Sequence, residues 1–353
     1  MNDFELTVEL DSPLLLSGAR SGMVDPARLI RPASVRGLVH TFARALFGPL
    51  LASNPENTRH AERKLLGAQG GVKDSQHHEY GATFRIEVVP SRLGNPIRVL
   101  NCPHDQRKGK REGFPEDRTA ELIVRPRPHA AAADVNFSAM LWTVLWTGFA
   151  FGALGNRSRR GYGSLTLTDI RGIDGGATPD LGALLKNAGG NVQQKLPVWQ
   201  QVPADRAALA KDLCSGLRAA QAAAAAWLGT TGPPTAPTGA PSFFQLFGPD
   251  WVSIGMAFES SAAAMSTLMS ACSGALRSNS SLYRRTMGAG GRDRLASPLW
   301  VRLYRTGQGW VPVATFSGDP ENRALVDQVL TAIGAINGGT YQTLPVVAGR
   351  GGC

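Results

Sequence analysis

Residues 152–165 read Gly-Ala-Leu-Gly-Asn-Arg-Ser-Arg-Arg-Gly-Tyr-Gly-Ser-Leu, and this stretch decides how the chain is interpreted. Its glycines permit positive φ angles and close backbone approach, and its three arginines suit phosphate groups. The glycines follow a helical pattern and precede a strand, whereas a Rossmann fingerprint needs a strand, the glycines and then a helix. The stretch therefore predicts a polyanion-binding loop and argues against a dinucleotide site.

The segment before this loop has no charged residue from Val135 to Asn156. It is long enough to span a bilayer, but it contains hydroxyl and small side chains and runs directly into arginines. We therefore expect a buried helix over 137–153 that leads into the loop.

The rest of the first half alternates strand and helix signals. Residues 4–10 and 84–88 alternate apolar and polar side chains, as half-buried strands do, and 122–125 and 164–167 predict two further strands. Ser34 occupies an N-cap position ahead of a helical pattern that stops at Gly48-Pro49. Residues 102–119 are polar and predict a mobile loop. The order β-α-β-β-α-β is typical of a ferredoxin-like unit.

The second half shows a weaker version of the same order. Helices are predicted near 204–228, 262–276 and 320–334, and strands near 251–258, 299–304 and 310–315. The predicted fold class is α+β, with two tandem ferredoxin-like (RRM-like) domains of which the second is degenerate. The predicted domains are 1–172 and 196–353, joined by a linker at 173–195.

The composition is compatible with a polyanion partner such as nucleic acid. The 353 residues carry a formal net charge of +10, and 30 of the 37 cationic residues are arginine. A genome rich in G and C would also enrich arginine, so the clustering of the arginines carries the argument. The 41 glycines and 23 prolines stay below the share typical of low-complexity chains.

Three arginine clusters lie beside loops or helix starts, where free backbone N–H groups attract phosphate. The first precedes and enters the first helix, the second is the glycine-rich loop, and the third repeats this chemistry in the second half. The predicted RNA-binding residues are Arg28, Arg31, Ser34, Arg36, Arg44, Asn156, Arg157, Ser158, Arg159, Arg160, Tyr162, Arg284, Arg285, Arg292 and Arg294. Tyr162 is expected to offer a stacking face to a base.

Signals for other chemistry are weak. Residues 67–73 resemble a phosphate-binding loop, but valine precedes Lys73 where glycine is required. His77 and His78 lack a matching second ligand pair, as do Cys102 and His104, so we expect no metal and no cofactor. His40 could act as a general base on RNA, although an RNA contact or a packed side chain fits better.

Several motifs together resemble the RAMP superfamily of CRISPR-associated proteins, and within it the first Cmr subunit of type III-B complexes. The family's opening signature is similar to residues 30–37 followed by Ala45-Leu46-Phe47-Gly48. The family's glycine-rich loop is similar to residues 152–165. Leu65-Leu66-Gly67 leading to 84–86 and Arg294 to Leu299 match further segments. Family members usually carry an arginine and an aromatic pair in the first helix, where this chain has His40-Thr41-Phe42-Ala43.

The resemblance implies tandem RRM-like domains in a cytoplasmic effector complex built on guide RNA, acting in antiviral defence. The chain would bind near the 3′ end of the guide, help to capture target RNA and contact other subunits, without catalytic residues. The alternative is a metal-independent endoribonuclease that processes guide precursors, with His40 or Tyr162 moving the proton.

Overall fold

The computed structural model describes most of the chain. The described residues are 3–16, 24, 29–67, 82–89, 95–100, 109–128, 134, 136–174, 176–187, 195–231, 234, 244–246, 248, 252–278, 299–317, 323–335 and 342–343. Two four-stranded antiparallel sheets and the helices packed on them confirm the predicted mixed α+β class.

The first sheet is formed by the first half of the chain. Its strands are β1 (Phe4–Leu10), β2 (Phe84–Val88), β5 (Thr119–Pro126) and β6 (Leu165–Gly172), in the spatial order β2-β5-β1-β6. The predicted strands at 4–10 and 84–88 are confirmed, and those at 122–125 and 164–167 are parts of the longer β5 and β6. Alternate side chains of β1 are fully buried, as its period-two pattern requires.

One face of this sheet is covered by α1 (Pro32–Leu50) and α3 (Phe137–Phe151). A further helix, α2 (Pro55–Leu66), packs against both of them. Every residue of α3 except Ser138 is buried, which confirms the predicted buried helix. Its end packs closely on α1, because a Cβ atom at Gly152 would lie 2.5 Å from a ring carbon of Phe42. No helix in the described ranges is long and apolar enough to cross a membrane.

The start of α1 differs from the prediction. The helix begins at Pro32, the N-cap is Arg31, and no side chain caps it. Ser34 therefore lies inside the first turn, and the predicted N-cap at Ser34 is wrong. The reason is that proline has a fixed φ suited to the first helical position, where its missing N–H costs nothing.

The second sheet is formed by β7 (Val252–Ile254), β8 (Leu299–Thr306), β9 (Gly309–Phe316) and β10 (Gln342–Thr343), in the order β10-β7-β9-β8. Its helices are α6 (Ser261–Ser278) and α7 (Arg323–Ala335), close to the predicted spans. The preceding α5 (Arg206–Leu228) matches the predicted helix at 204–228. It belongs to the hydrophobic core that includes α1 and α3.

Two predicted loop regions contain regular structure. Strands β3 (Ile97–Leu100) and β4 (Lys110–Gly113) pair as a separate two-stranded sheet, so the prediction of a mobile loop over 102–119 is wrong for 110–113. The pairing supplies partners for backbone groups of a polar segment. A short helix, α4 (Gly182–Asn187), lies within the predicted linker. The division into domains at 172 and 196 stays a prediction.

Candidate nucleic-acid interface

The glycine-rich loop forms a tight turn between α3 and β6. A single 3-10 turn spans Ser158–Arg160, and the residue before it, Arg157, has φ of 60°. Gly163 has φ of +63°, and a Cβ atom there would lie 2.0 Å from the carbonyl oxygen of Leu154. Only glycine fits this position, because a side chain would meet both backbone strain and a neighbouring peptide.

The loop is held by both halves of the chain. On the first half, the backbone N–H of Asn156 donates to the Leu15 carbonyl over 2.8 Å. On the second half, the N–H of Gly161 donates to the Val301 carbonyl over 2.9 Å, and the N–H of Leu303 donates to Ser164 Oγ over 2.9 Å. Because β8 lies at the edge of its sheet, backbone groups on one of its sides lack a neighbouring strand, and the loop forms hydrogen bonds with some of these groups. The conformation of the loop therefore depends on the second half.

Two loop arginines rest on β8. The guanidinium carbon of Arg159 lies 4.4 Å from the centroid of the Trp300 ring, a cation–π contact. Burial, and to a lesser extent the charge of Arg160, lower the pKa of Arg159 to about 10. It therefore remains charged at neutral pH. Arg160 donates to the Leu299 carbonyl over 3.3 Å.

Tyr162 does not offer the stacking face expected of it. The side chain is fully buried in the core of the second half, and its hydroxyl donates to the carbonyl of Leu100. A tyrosine ring is stable in a core when its hydroxyl reaches an acceptor, and here the end of β3 supplies that acceptor. The stacking role is therefore wrong for this conformation, and Tyr162 instead links the loop to the β3–β4 hairpin.

The first arginine cluster has protein partners along α1. Arg36 donates to the Phe84 carbonyl over 3.2 Å, and its guanidinium carbon lies 5.1 Å from the Phe84 ring centroid. Arg44 lies 3.5 Å from a carboxylate oxygen of Glu62, with 36% of its side chain exposed. The other oxygen of Glu62 is 2.7 Å from Nδ1 of His40. Glu62 of α2 thus orients two side chains of α1.

Trp300 brings the first two clusters together. The centroid of the Trp300 ring lies 5.3 Å from that of Phe42 on α1, and the same ring makes the cation–π contact with Arg159. Trp300 therefore lies between the arginine turn and the middle of α1. Contacts with RNA stay predictions for all the described arginines of the predicted site and for Ser34, Asn156 and Ser158. Five residues of the predicted site lie outside the described residues, namely Arg28, Arg284, Arg285, Arg292 and Arg294.

The β3–β4 hairpin was not predicted from the sequence. Arg98 and Lys110 are exposed on it, Arg111 is half-buried, and the Tyr162 hydroxyl anchors it to the loop. The signal that could have found it is the run Arg107-Lys108-Gly109-Lys110-Arg111, in which a glycine interrupts four cations. Within the ranges that the structure describes, no three potential metal ligands come together.

A buried ion pair fastens the second sheet to the first half. Arg302 of β8 is 1% exposed and donates to Asp11 over 3.0 Å, to Thr166 over 3.1 Å and to the Phe149 carbonyl. Burial raises the pKa of Asp11 to about 7, against the opposing charge of Arg302 and a hydrogen bond from Thr166. Asp11 is therefore partly protonated in the folded chain near neutral pH.

This pKa predicts a pH-dependent stability. Because the pKa of Asp11 is raised on folding, the folded state binds more protons than the unfolded state between the ordinary pKa and about 7. The stabilisation of the folded state by Asp11 is fully present below the ordinary pKa of its carboxyl group and is lost as the pH rises to about 7. Between about pH 5 and 7 we expect the free energy of unfolding to fall by about 2 kcal/mol more in the wild type than in Asp11→Asn. Urea titrations at both pH values measure this, and parallel pH profiles would contradict it.

A protein-family profile matches the first half of the chain. Residues 7–166 match the profile of the RAMP superfamily. No curated protein sequence matches the chain. The matched range runs from the middle of β1 to the start of β6, and it contains α1 to α3 and the whole glycine-rich loop.

Solved structures resemble the chain over nearly its full length. Cmr1 from Pyrococcus furiosus in its apo form is 14% identical, with a TM-score of 0.55 over 93% of this chain and 96% of that chain. A cryo-EM structure of the type III-B Cmr-beta complex bound to cognate target RNA contains a chain that is 11% identical. The TM-score is 0.58, over 94% of this chain and 99% of that chain. At these identities the similarity establishes the fold.

Proposed function

Because residues 7–166 match the profile of the RAMP superfamily, we propose that this chain is an RNA-binding subunit of a type III-B (Cmr-like) CRISPR effector complex. The observation that carries the proposal is the glycine-rich loop, in which three arginines occupy one turn held between the two halves. Guanidinium groups on a rigid turn can bind phosphates with little further ordering.

We further propose that both halves are ferredoxin-like. Each half runs β-α-β-β-α-β if β3, β4 and the extra helices are set aside, and each sheet places its first and third strands at the centre. This order supports the domains 1–172 and 196–353. The second is degenerate, because β7 and β10 contain only three and two residues.

The place in the complex that we propose is near the 3′ end of the guide RNA, where the subunit helps to capture target RNA in antiviral defence. Guide RNA, target RNA and neighbouring subunits are the proposed partners, in the cytoplasm. Similar chains occur in a Cmr-beta complex bound to cognate target RNA, which supports an RNA-bound assembly. We propose no catalytic residue and no cofactor.

The proposal is tested by binding of the full chain to labelled guide-like and target-like single-stranded RNA in EDTA over a salt series. Replacing Arg157, Arg159 and Arg160 together by glutamine should weaken binding and reduce the slope of log K against log salt by about 2, at about 0.7 per lost phosphate contact. The matched control replaces Arg85, Arg125 and Arg171 of the first sheet by glutamine, removes the same charge and should leave the slope unchanged.

Either of two results would overturn the proposal. An unchanged slope in the loop variant would remove the loop from the RNA-binding surface. Absence of RNA binding by the wild type at low salt would contradict RNA binding altogether. Thermal unfolding of each variant separates lost contacts from lost structure.

The alternative is an endoribonuclease that processes guide precursors, and the Glu62–His40 contact is the observation in its favour. A histidine whose Nδ1 is held by a carboxylate has its other ring nitrogen oriented for proton transfer, and His40 is 24% exposed. Cleavage of a repeat-containing RNA that is lost in His40→Ala would support this alternative. No cleavage, or equal cleavage by the variant, would contradict it.

A further inference from the structure

The face of the first sheet that points away from α1 and α3 has the wrong chemistry for RNA. RRM domains stack bases on aromatic side chains of this face. Here the aromatic residues of the strands, Phe4 and Phe84, point into the core. The side chains that face away from α1 and α3 define the sheet surface, which includes Glu5, Glu9, Arg85, Glu87, Glu121, Arg125, Asp169 and Arg171.

The arginines of the sheet surface are engaged by its carboxylates. Arg85 lies 3.1 Å from Glu87, Arg171 binds Glu5, and Arg125 pairs with Asp3 beside the sheet. Five carboxylates against three arginines leave the surface negative. Such a surface repels phosphate, because every guanidinium group already has an anion and carboxylates remain in excess.

The helices on the other side of the sheet have the opposite charge. The cations of α1 and α2 define the helical surface. It consists of Arg36 and Arg44 on α1, both half-buried, and of Arg59, Arg63 and Lys64 on α2. The carboxylates of α2 are Glu56 and Glu62. Glu62 is buried and turned toward α1, so it offers little negative charge to solvent.

The cations of α2 share one side of that helix. Residues 59, 60, 63 and 64 follow a helical spacing, and the buried residues Thr58, Ala61 and Leu65 lie on the opposite side. The helix dipole favours Arg63 and Lys64 in the last turn, but it gives no such support to Arg59. Arg59 and Arg63, four residues apart, repel each other, and a bound anion would relieve that repulsion.

The cations of α2 lie beside the arginine cluster of α1, because α2 packs along α1. Glu62 of α2 contacts α1, and its carboxylate lies 3.5 Å from Nε of Arg44. The phosphate-binding groups predicted on α1 therefore extend sideways onto α2. No RNA-binding residue was predicted on α2 from the sequence.

We propose that RNA crosses the helical surface, with Arg59 and Arg63 as phosphate contacts, and that the sheet surface takes no part in RNA binding. This inference rests on the proposed function and specifies which side of the first domain the RNA follows. It reverses the use of an RRM-like domain, because the helices rather than the open sheet face the nucleic acid.

The test compares two double variants of the full chain against single-stranded RNA over a salt series. Arg59→Gln with Arg63→Gln removes two charges from the helical surface. The control, Arg85→Gln with Arg171→Gln, removes two charges from the sheet surface. We expect the helical variant to bind about tenfold more weakly at about 0.1 M salt, with a slope lowered by about 1.4. The control should behave as wild type.

Each other outcome has a defined meaning. An unchanged helical variant beside a weakened loop variant would overturn this inference and leave the proposed function standing. Equal weakening by both double variants would also overturn it, since net charge alone would then explain the effect. Unchanged RNA affinity with lost binding to poly-glutamate would assign the helical surface to an acidic protein. Absence of binding by the wild type would overturn the proposed function itself.

Discussion

Replacing Arg302 by alanine is expected to lower the free energy of unfolding by about 3–5 kcal/mol. The guanidinium group is buried between the halves, where it donates to Asp11, Thr166 and the Phe149 carbonyl. Its removal takes one donor from the Phe149 carbonyl and one from the Asp11 carboxyl, which keeps its hydrogen bond from Thr166, in a site closed to water. Chemical denaturation of the full chain, followed by tryptophan fluorescence, measures the change in midpoint.

The matched control for this variant lies on the same strand. Arg305→Gln removes an ion pair with Asp117, in which 41% and 61% of the two side chains are exposed. Exposed pairs contribute little, so we expect a change below about 1 kcal/mol. Equal losses in both variants would show that the buried pair has no special weight. The double variant Arg302→Met with Asp11→Asn should recover part of the loss, because it removes the unmatched charge.

The elements of the fold could be predicted where one periodic pattern dominated. Phe4–Leu10 strictly alternates apolar and polar residues, which fits a half-buried strand. Phe137–Phe151 has no charged residue on any side, which fits a buried helix. The β3–β4 hairpin could not be predicted this way. Its strands have four residues each, and Lys110–Gly113 contains no apolar alternation. Its position depends on contacts distant in sequence, such as the one between Tyr162 and Leu100.

The candidate site could be predicted as a set of segments but not as a surface. The loop arginines were found because glycine and arginine together suggest a phosphate-binding turn. The support under the loop, Trp300, lies about 140 residues away, and no local pattern links the two. The burial of Tyr162 likewise depends on the second half closing over the loop. Long-range packing therefore decides which side chains of the motif reach solvent.

Gly163→Ala is expected to lower the free energy of unfolding by about 2–4 kcal/mol and to weaken RNA binding with it. The residue has φ of +63°, and an added Cβ atom would lie 2.0 Å from the Leu154 carbonyl oxygen and 2.8 Å from a methyl carbon of Leu14. Relief of this overlap must separate two backbone segments that bond each other, since the Leu154 N–H donates to the Gly163 carbonyl. The arginines between these segments would then lose their fixed positions.

Gly229→Ala separates the two causes of this effect. Gly229 has φ of +70°, nearly the same as Gly163, but no atom lies within 4 Å of the position that a Cβ atom would occupy. Its replacement measures backbone strain alone, about 1 kcal/mol, and should leave RNA binding unchanged. The difference between the two losses of unfolding free energy measures the contribution of the close contacts around Gly163. Equal destabilisation in both would mean that the loop opens freely, and a rigid arginine turn could not then explain RNA binding.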